Sequence, residues 1–370
     1  MKIEMKSVLN FYKKHDALFS FLKLLIFLYL FIFSLELMGA SLKMFGKGLA
    51  SDLIQTTTNP LVGLFIGILA TSIIQSSSST TSIVVGLVGG GVLNVANAIP
   101  IVMGANVGTS VTNTLASLTQ INRSIEFQRS FAAAIVHDYF NLLAVLAIFP
   151  LQYFTNFLGR IAAVMGQEFQ HIGGLKFLSP VKALTRPVVD IFKSWIGDRA
   201  LILLILALIC LLFALSQMVR SLKALVVKKA EAWFDRYLFK TALRAFFVGL
   251  LLTSLVQSSS ITTSLAVPMA GAGLLTIMQI FPYTMGANMG TTVTAILAAL
   301  VTGNLAAIIV AFSHLLFNIS GIIVWWPLKF VPIYLAQKFS YFSIRNRLIP
   351  IMYILIVFFL IPIALIYILK

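Results

Sequence analysis

Cysteine is almost absent from this chain: Cys210 is the single one among 370 residues. No intrachain disulfide can form, and no cysteine-based metal site can be built. Charge is nearly as scarce. Charged residues make up 10% of the chain, and only 11 are acids, against about 25% charged in an ordinary soluble domain. A water-soluble globule is therefore excluded. Short strands of alternating polarity are missing too, which argues against a transmembrane β-barrel. So is a strained Gly-x-Ser-x-Gly turn, the usual seat of a serine-hydrolase nucleophile, and no enzyme activity is expected.

What remains is apolar: 59% of the residues are hydrophobic, 30 of them Phe. Several runs reach the about 20 apolar residues that a bilayer-crossing helix needs. The net charge of +16 would suggest nucleic acid in a soluble protein. Here it fits basic loops kept in the cytoplasm, and no nucleic-acid partner is expected. The first apolar run starts near residue 18 and is too long for the core of a cleaved signal peptide. It reads as a first membrane helix. A cytoplasmic amphipathic segment, residues 1–17, precedes it with Lys2, Lys6, Lys13 and Lys14.

The organising fact is a repeat. Shifted by 182 positions, GILATSIIQSSSSTTSIVVGLVGGGVL (residues 67–93) lies on GLLLTSLVQSSSITTSLAVPMAGAGLL (residues 249–275). PIVMGANVGTSVTNTLASL (100–118) lies on PYTMGANMGTTVTAILAAL (282–300), and VHDYFN (136–141) is echoed at slightly shorter spacing by SHLLFN (313–318). Three ordered blocks, twice, mark a duplication.

The expected architecture is an all-α polytopic membrane protein. It has two inverted repeats, each with three spans and a re-entrant helical hairpin, plus an extra C-terminal helix. Repeat 1 covers residues 18–151, with a hairpin at 60–91 and an interrupted span at 92–118. Repeat 2 covers 200–328, with a hairpin at 246–273 and an interrupted span at 274–301. Each hairpin arm is too short to cross. Three crossings per half is odd, so the halves should be inverted. With the N-terminus inside, the basic stretches around Arg123 and Arg129, at 220–244 and at 329–347 are inside as well. The loop at 152–199 is then extracytoplasmic, and 329–370 forms a cytoplasmic linker and the last transmembrane helix. The 220–244 stretch reads as an interfacial helix. Gly- or Pro-broken segments at matching places in inverted halves point to the central binding site of a secondary transporter.

The polar words in those segments suggest what is held. Lone serines in membrane helices mostly serve packing, but QSSS occurs at both hairpin tips. Helix starts there offer free N–H groups that favour an anion. Ser76, Ser77, Ser78, Ser258, Ser259 and Ser260 add neutral hydroxyl donors. The Gly-Ala-Asn-x-Gly-Thr breaks expose backbone carbonyls. Asn106, Thr109, Thr112, Asn288, Thr291 and Thr294 add oxygens of the kind hard cations prefer, with Na⁺ favoured by their neutrality. Asp138 is a carboxylate inside a predicted span and a functional candidate by default; the second half has Leu315 there. It would add a cation or proton site on one side. His137 and His314 read as packing groups rather than metal ligands, and Glu36 has no assignable role.

In this order, QSSSSTTS, MGANVGTSVTNT, VHDYFN, QSSSITTS, MGANMGTTVTAILAAL and HLLFN resemble the type II sodium-dependent phosphate cotransporters and their bacterial relatives, over roughly residues 30–330. The resemblance implies sodium-coupled movement of inorganic phosphate, with Na⁺ as coupling ion and no other cofactor. It implies a phosphate cradle of Gln75 to Ser78 and Gln257 to Ser260. Sodium roles fall on Asn141, Asn318 and Gln120, and Asp138 matches the acid of the electrogenic members. Two departures are visible. Asn122 and Arg123 stand where the family has an acid, and the outer loop has no cysteine pair. A cell-membrane symporter that imports phosphate is the leading reading. A carrier of another oxyanion such as sulfate or arsenate, a phosphate exporter and a passive anion channel stay open at this point.

Overall fold

The computed structural model describes residues 16–44, 55–171, 179–234 and 239–370. The basic segment with Lys2, Lys6, Lys13 and Lys14 lies outside them. The described residues are helical, with no strand among them. Six helices are long and apolar enough to cross a bilayer: Leu22–Met44, Ser124–Thr155, Ala200–Met218, Ile277–Thr302, Leu305–Trp325 and Leu348–Leu369. The chain is a multi-pass membrane protein. Helices suit that setting because each satisfies its own backbone where no water can. Large apolar side chains point outward along them, as with Leu201, Ile205 and Ile209 on the third.

The elements run as follows: α1 (Asp16–Met44), α2 (Pro60–Ile74), α3 (Ser77–Gly89), α4 (Val95–Thr109), α5 (Val111–Leu118), α6 (Ser124–Thr155), α7 (Phe157–His171) and α8 (Ser179–Ile196). Then come α9 (Ala200–Phe234), α10 (Ala242–Val256), α11 (Ser259–Gly271), α12 (Ile277–Thr302), α13 (Leu305–Trp325), α14 (Phe330–Ser343), α15 (Leu348–Leu355), a π turn (Ile356–Leu360) and α16 (Ile361–Leu369). The π turn sits just before Pro362, whose missing N–H interrupts the regular ladder.

Two hairpins, α2–α3 and α10–α11, stand at matching positions. Their arms of 15 and 13 residues reach about 20–22 Å, short of the ~30 Å hydrocarbon core. Each turns on two residues. Gln75 and Gln257 end their first arms in the left-handed conformation, at φ 56° and 54°. Glycine is the ordinary occupant of that region, and a residue with a Cβ pays of order 1–2 kcal/mol to be there. Ser76 and Ser258 follow in extended conformation and cap the second arms, their Oγ atoms accepting from the Ser79 and Ile261 amides at 3.2 and 3.4 Å.

The first arms lie against α4 and α12 with almost no side chain between. A methyl group on Gly104 would sit 1.9 Å from the Leu64 carbonyl oxygen, and one on Gly67 would sit 2.0 Å from that of Ile101. The second half repeats this: Gly286 against Phe246 O at 1.9 Å and Gly249 against Tyr283 O at 2.1 Å. Small residues permit such contact where lipid provides no hydrophobic drive for helices to pair.

This packing corrects the sequence reading. The glycines of the two G-A-N blocks were expected to unwind their spans; they lie in regular helix and serve contact instead. The expected interruption of 274–301 is absent, since α12 runs unbroken through Pro282, Gly286 and Gly290. In the first half the helix is divided only at Ser110, after the G-A-N block, so 92–118 becomes α4 and α5, neither long enough to cross alone. The region 152–199 is no plain loop: it contains α7 and α8, which pack on α13 and α1. The 329–347 linker holds α14. The 220–244 stretch is helical to Phe234 within α9, and residues 235–238 lie outside the description.

Gly104→Ala or Gly286→Ala is expected to force the paired helices apart and cost about 1–3 kcal/mol. Gly39→Ala, with nothing within 4 Å of the added methyl, should leave stability unchanged or raise it. Melting temperatures of the purified protein in detergent check both.

Candidate functional site

The hairpin tips touch. Ser78 Oγ donates to the Gln257 carbonyl at 3.1 Å, and Ser260 Oγ donates to the Gln75 carbonyl at 3.2 Å. Each bond is the image of the other under the 182-residue offset. Beside this contact is a cavity of about 700 Å³ walled by Gln75, Ser76, Ser78, Gln257, Ser258 and Ser260. Ser77 and Ser259, the remaining members of the expected cradle, are 2% exposed and do not line it. They still begin α3 and α11. The first amides of both helices, at Ser77, Ser78, Ser259 and Ser260, have no acceptor within their own helix.

Sequence reasoning overlooked several parts of this wall. Ser79 and Ser264 line the cavity from the hairpins, and Ser216 and Arg220 line it from α9. The expectation of purely neutral donors therefore needs correction: one guanidinium is present, with no ion pair among the described residues. Ser216 and Arg220 stand four residues apart, on one helix face. That pair of polar residues at the end of an apolar run was the signal available. No carboxylate lines the cavity.

Behind the tips lies a second, closed layer of amides and imidazoles. His137 Nε2 contacts Asn288 Oδ1 at 2.6 Å, and His314 Nε2 contacts Asn106 Oδ1 at 3.0 Å. Asn288 Nδ2 donates to Asn141 Oδ1 at 2.6 Å, and Asn106 Nδ2 donates to Asn318 Oδ1 at 3.1 Å. These are two copies of one arrangement, linked because Asn141 Nδ2 donates to the Asn106 carbonyl at 2.8 Å. The two histidines are thus fastened to the asparagines that the sequence singled out. Thr109 and Thr291 turn their hydroxyls back onto the Ala105 and Asn288 carbonyls of their own helices. The oxygens of this layer that a cation could use come from side chains, not from the unwound backbone expected.

Oxygens without a partner are also present. Thr112 and Thr294, another repeat pair, have buried hydroxyls that bond to nothing, and Thr112 also lines the cavity. Gln120 Oε1 is buried and unpaired against Gly271. Asp138 is fully buried; its Oδ2 accepts from Thr114 at 3.0 Å and from the Tyr353 hydroxyl at 3.1 Å, while Oδ1 has no partner. Thr114, Asn113 and Tyr353 were missed from sequence. The first two could have been flagged, because the repeat puts Ile296 and Ala295 opposite them. Glu36 takes no part in the site: its carboxylate accepts from Thr185 on α8.

A sequence model of the Na⁺/Pi-cotransporter family matches residues 30–177 and 210–325. The chain belongs to that family. Among curated relatives, human sodium-dependent phosphate transport protein 2B is 33% identical, the alignment covering 92% of this chain and 64% of the relative. The mouse protein 2A is 32% identical and the sheep protein 2A 34%, each over 92% of this chain and 66% of the relative. The chain therefore spans about two thirds of the length of the curated relatives it matches. No solved structure matches it. Both matched stretches of the family contain a hairpin and the glycine-packed helix beside it.

His137 and His314 differ in how fully they are used. Both ring nitrogens of His137 are engaged, Nδ1 by Asn113 at 3.0 Å, whereas His314 Nδ1 has no partner. Each buried group left unpaired costs about 1–3 kcal/mol. His137→Ala is therefore expected to lower the melting temperature more than His314→Ala in the same detergent; equal losses would contradict the assigned contacts.

Proposed function

We propose that this protein is a secondary transporter that couples inward sodium movement to transport of inorganic phosphate, with net charge moved in each cycle. The observation that carries this reading is the meeting of two serine-rich tips on the wall of one cavity. The helix-start residues Ser78 and Ser260, several hydroxyls and the Arg220 guanidinium lie on that wall with no carboxylate among the lining residues. Such a donor set suits a compact oxyanion. The names of the relatives, sodium-dependent phosphate transport proteins, supply the choice of phosphate and sodium. On this reading Gln75 to Ser78 and Gln257 to Ser260 form the phosphate cradle, with Ser77 and Ser259 supporting it from behind the cavity wall. Sodium is held by oxygens of the second layer: Asp138, Thr112, Thr294 and Gln120 through unpaired atoms, and Asn106, Asn141, Asn288 and Asn318 through remaining lone pairs. A hydrolase reading loses support because His137 and His314 both pair with asparagine and none of the described hydrogen bonds joins histidine to serine.

The access direction follows from one asymmetry between the halves. In the first, α1 covers α3, Met38 lying against Gly86. In the second, α9 and α11 both line the cavity, with Arg220 of the basic stretch on its wall. On the reading that this side is cytoplasmic and the two halves are inverted in the cell membrane, the cavity faces inward. Asp138 has no counterpart in the other half, so its charge accompanies one cation only. Each net positive charge carried inward adds about 2.3 kcal/mol of drive per 100 mV.

Purified protein in liposomes is expected to take up radiolabelled phosphate only when a sodium gradient is imposed, with little competition from sulfate. Uptake indifferent to sodium, or sulfate displacing phosphate, would overturn the reading. Ser78→Ala combined with Ser260→Ala should raise the phosphate concentration for half-maximal flux roughly tenfold or more, since each loses a hydrogen bond to a charged cargo. Asp138→Leu should move phosphate with no net current; an unaltered current per phosphate would remove Asp138 from the coupling path.

A further inference from the structure

Apart from Ser110, whose repeat position holds Thr292, the polar groups around Asp138 have no polar match in the second half. Its donor Thr114 is matched by Ile296 in the second half, neighbouring Asn113 by Ala295, and Asp138 itself by Leu315. Its other donor, Tyr353, stands on α15, part of the C-terminal segment that has no partner in the repeat. Both donors bind the same carboxylate oxygen, Oδ2, at 3.0 and 3.1 Å, and leave Oδ1 buried without a hydrogen-bond partner, the neighbouring Ser110 hydroxyl being turned onto the Val107 carbonyl. Two donors on one oxygen fix the rotation of a carboxylate. A bare carboxylate oxygen shut away from water is costly unless something positive meets it.

We propose that Tyr353 is a positioning residue for sodium coupling: from the unrepeated C-terminal helix it clamps Asp138 so that Oδ1 faces a single alkali cation. This rests on the sodium-coupled reading given above. It makes the last helix part of the ion site and not a lipid-facing addition. The clamp is a single hydroxyl, because the ring is held independently. It packs against Phe339 and Phe358, with centroids 5.2 and 6.0 Å away. Tyr353→Phe therefore keeps the packing and removes only the hydrogen bond.

The test uses the full chain in two formats. In liposomes, Tyr353→Phe is expected to raise the sodium concentration for half-maximal phosphate flux about tenfold, as loss of a bond to a charged group implies. The phosphate requirement at saturating sodium should not change. In an Asp138→Leu background, Tyr353→Phe should cause no further shift in sodium requirement. In detergent without phosphate, the rise in melting temperature on replacing choline chloride by sodium chloride should be smaller in Tyr353→Phe than in the wild type, each protein being measured against its own choline value. A wild-type sodium requirement and sodium-dependent melting shift in Tyr353→Phe would overturn the proposal. So would an equal effect of Tyr353→Phe with and without Asp138, since it would then act through packing. If the wild-type chain moves no phosphate with sodium, the transport reading fails, yet the melting comparison still decides whether Tyr353 serves a cation site. A wild-type chain whose melting ignores sodium overturns both.

Discussion

Direct backbone contact between α2 and α4, and between α10 and α12, is the constraint on which the molecule depends. In lipid, helices gain little by hiding oil from oil, so tight packing and polar contacts must hold them together. Here glycine faces carbonyl on both partners, twice over. Each hairpin is thereby fixed to the helix beside it along most of its first arm. Only with those arms fixed can two short turns, each held in a backbone conformation unusual for glutamine, face each other closely enough to exchange hydrogen bonds.

The same packing brings the polar layer into register. α4 and α12 present Asn106 and Asn288 on the side away from the hairpin glycines, toward α6 and α13. Duplication then yields a near-symmetric lattice in which two histidines and four asparagines bond to one another without a buried charge, His314 Nδ1 alone being left over. Asp138 is the exception, and the groups that answer it are likewise confined to one side. A symmetric scaffold with a one-sided acid separates two tasks: the scaffold builds the chamber, and the acid gives the chamber a polarity in charge. Amide and imidazole groups can remain buried at low cost because they pair, whereas a carboxylate with one bare oxygen is left wanting a cation.

Much of this was legible in the amino-acid order. The repeat exposed both hairpins and their Gln-Ser-Ser-Ser tips, because duplicated polar runs in an apolar chain are hard to miss. Asp138 stood out because Leu315 broke the match. Other features were hidden for physical reasons. Glycine in a membrane helix signals unwinding and close packing alike, and only the neighbouring carbonyls tell them apart; Gly104 and Gly286 proved to be the packing kind. Arg220 looked like one basic residue among seven in its stretch, and its seat on the cavity wall depends on how α9 stands beside α11. Tyr353 lies on a segment without a repeat partner, so no comparison between halves could single it out.

The crossed bonds between the two turns carry a mechanical implication. Because each serine hydroxyl is lent to the opposite glutamine carbonyl, neither turn can withdraw by a bond length without severing both links at once. The pair behaves as a latch with a fastened and an unfastened setting, and a graded slide between them has nothing to hold it. An anion with several acceptor oxygens, arriving between Ser78 and Ser260, competes for the same two protons. An anion that took those two donors would loosen the fastening that joins the turns.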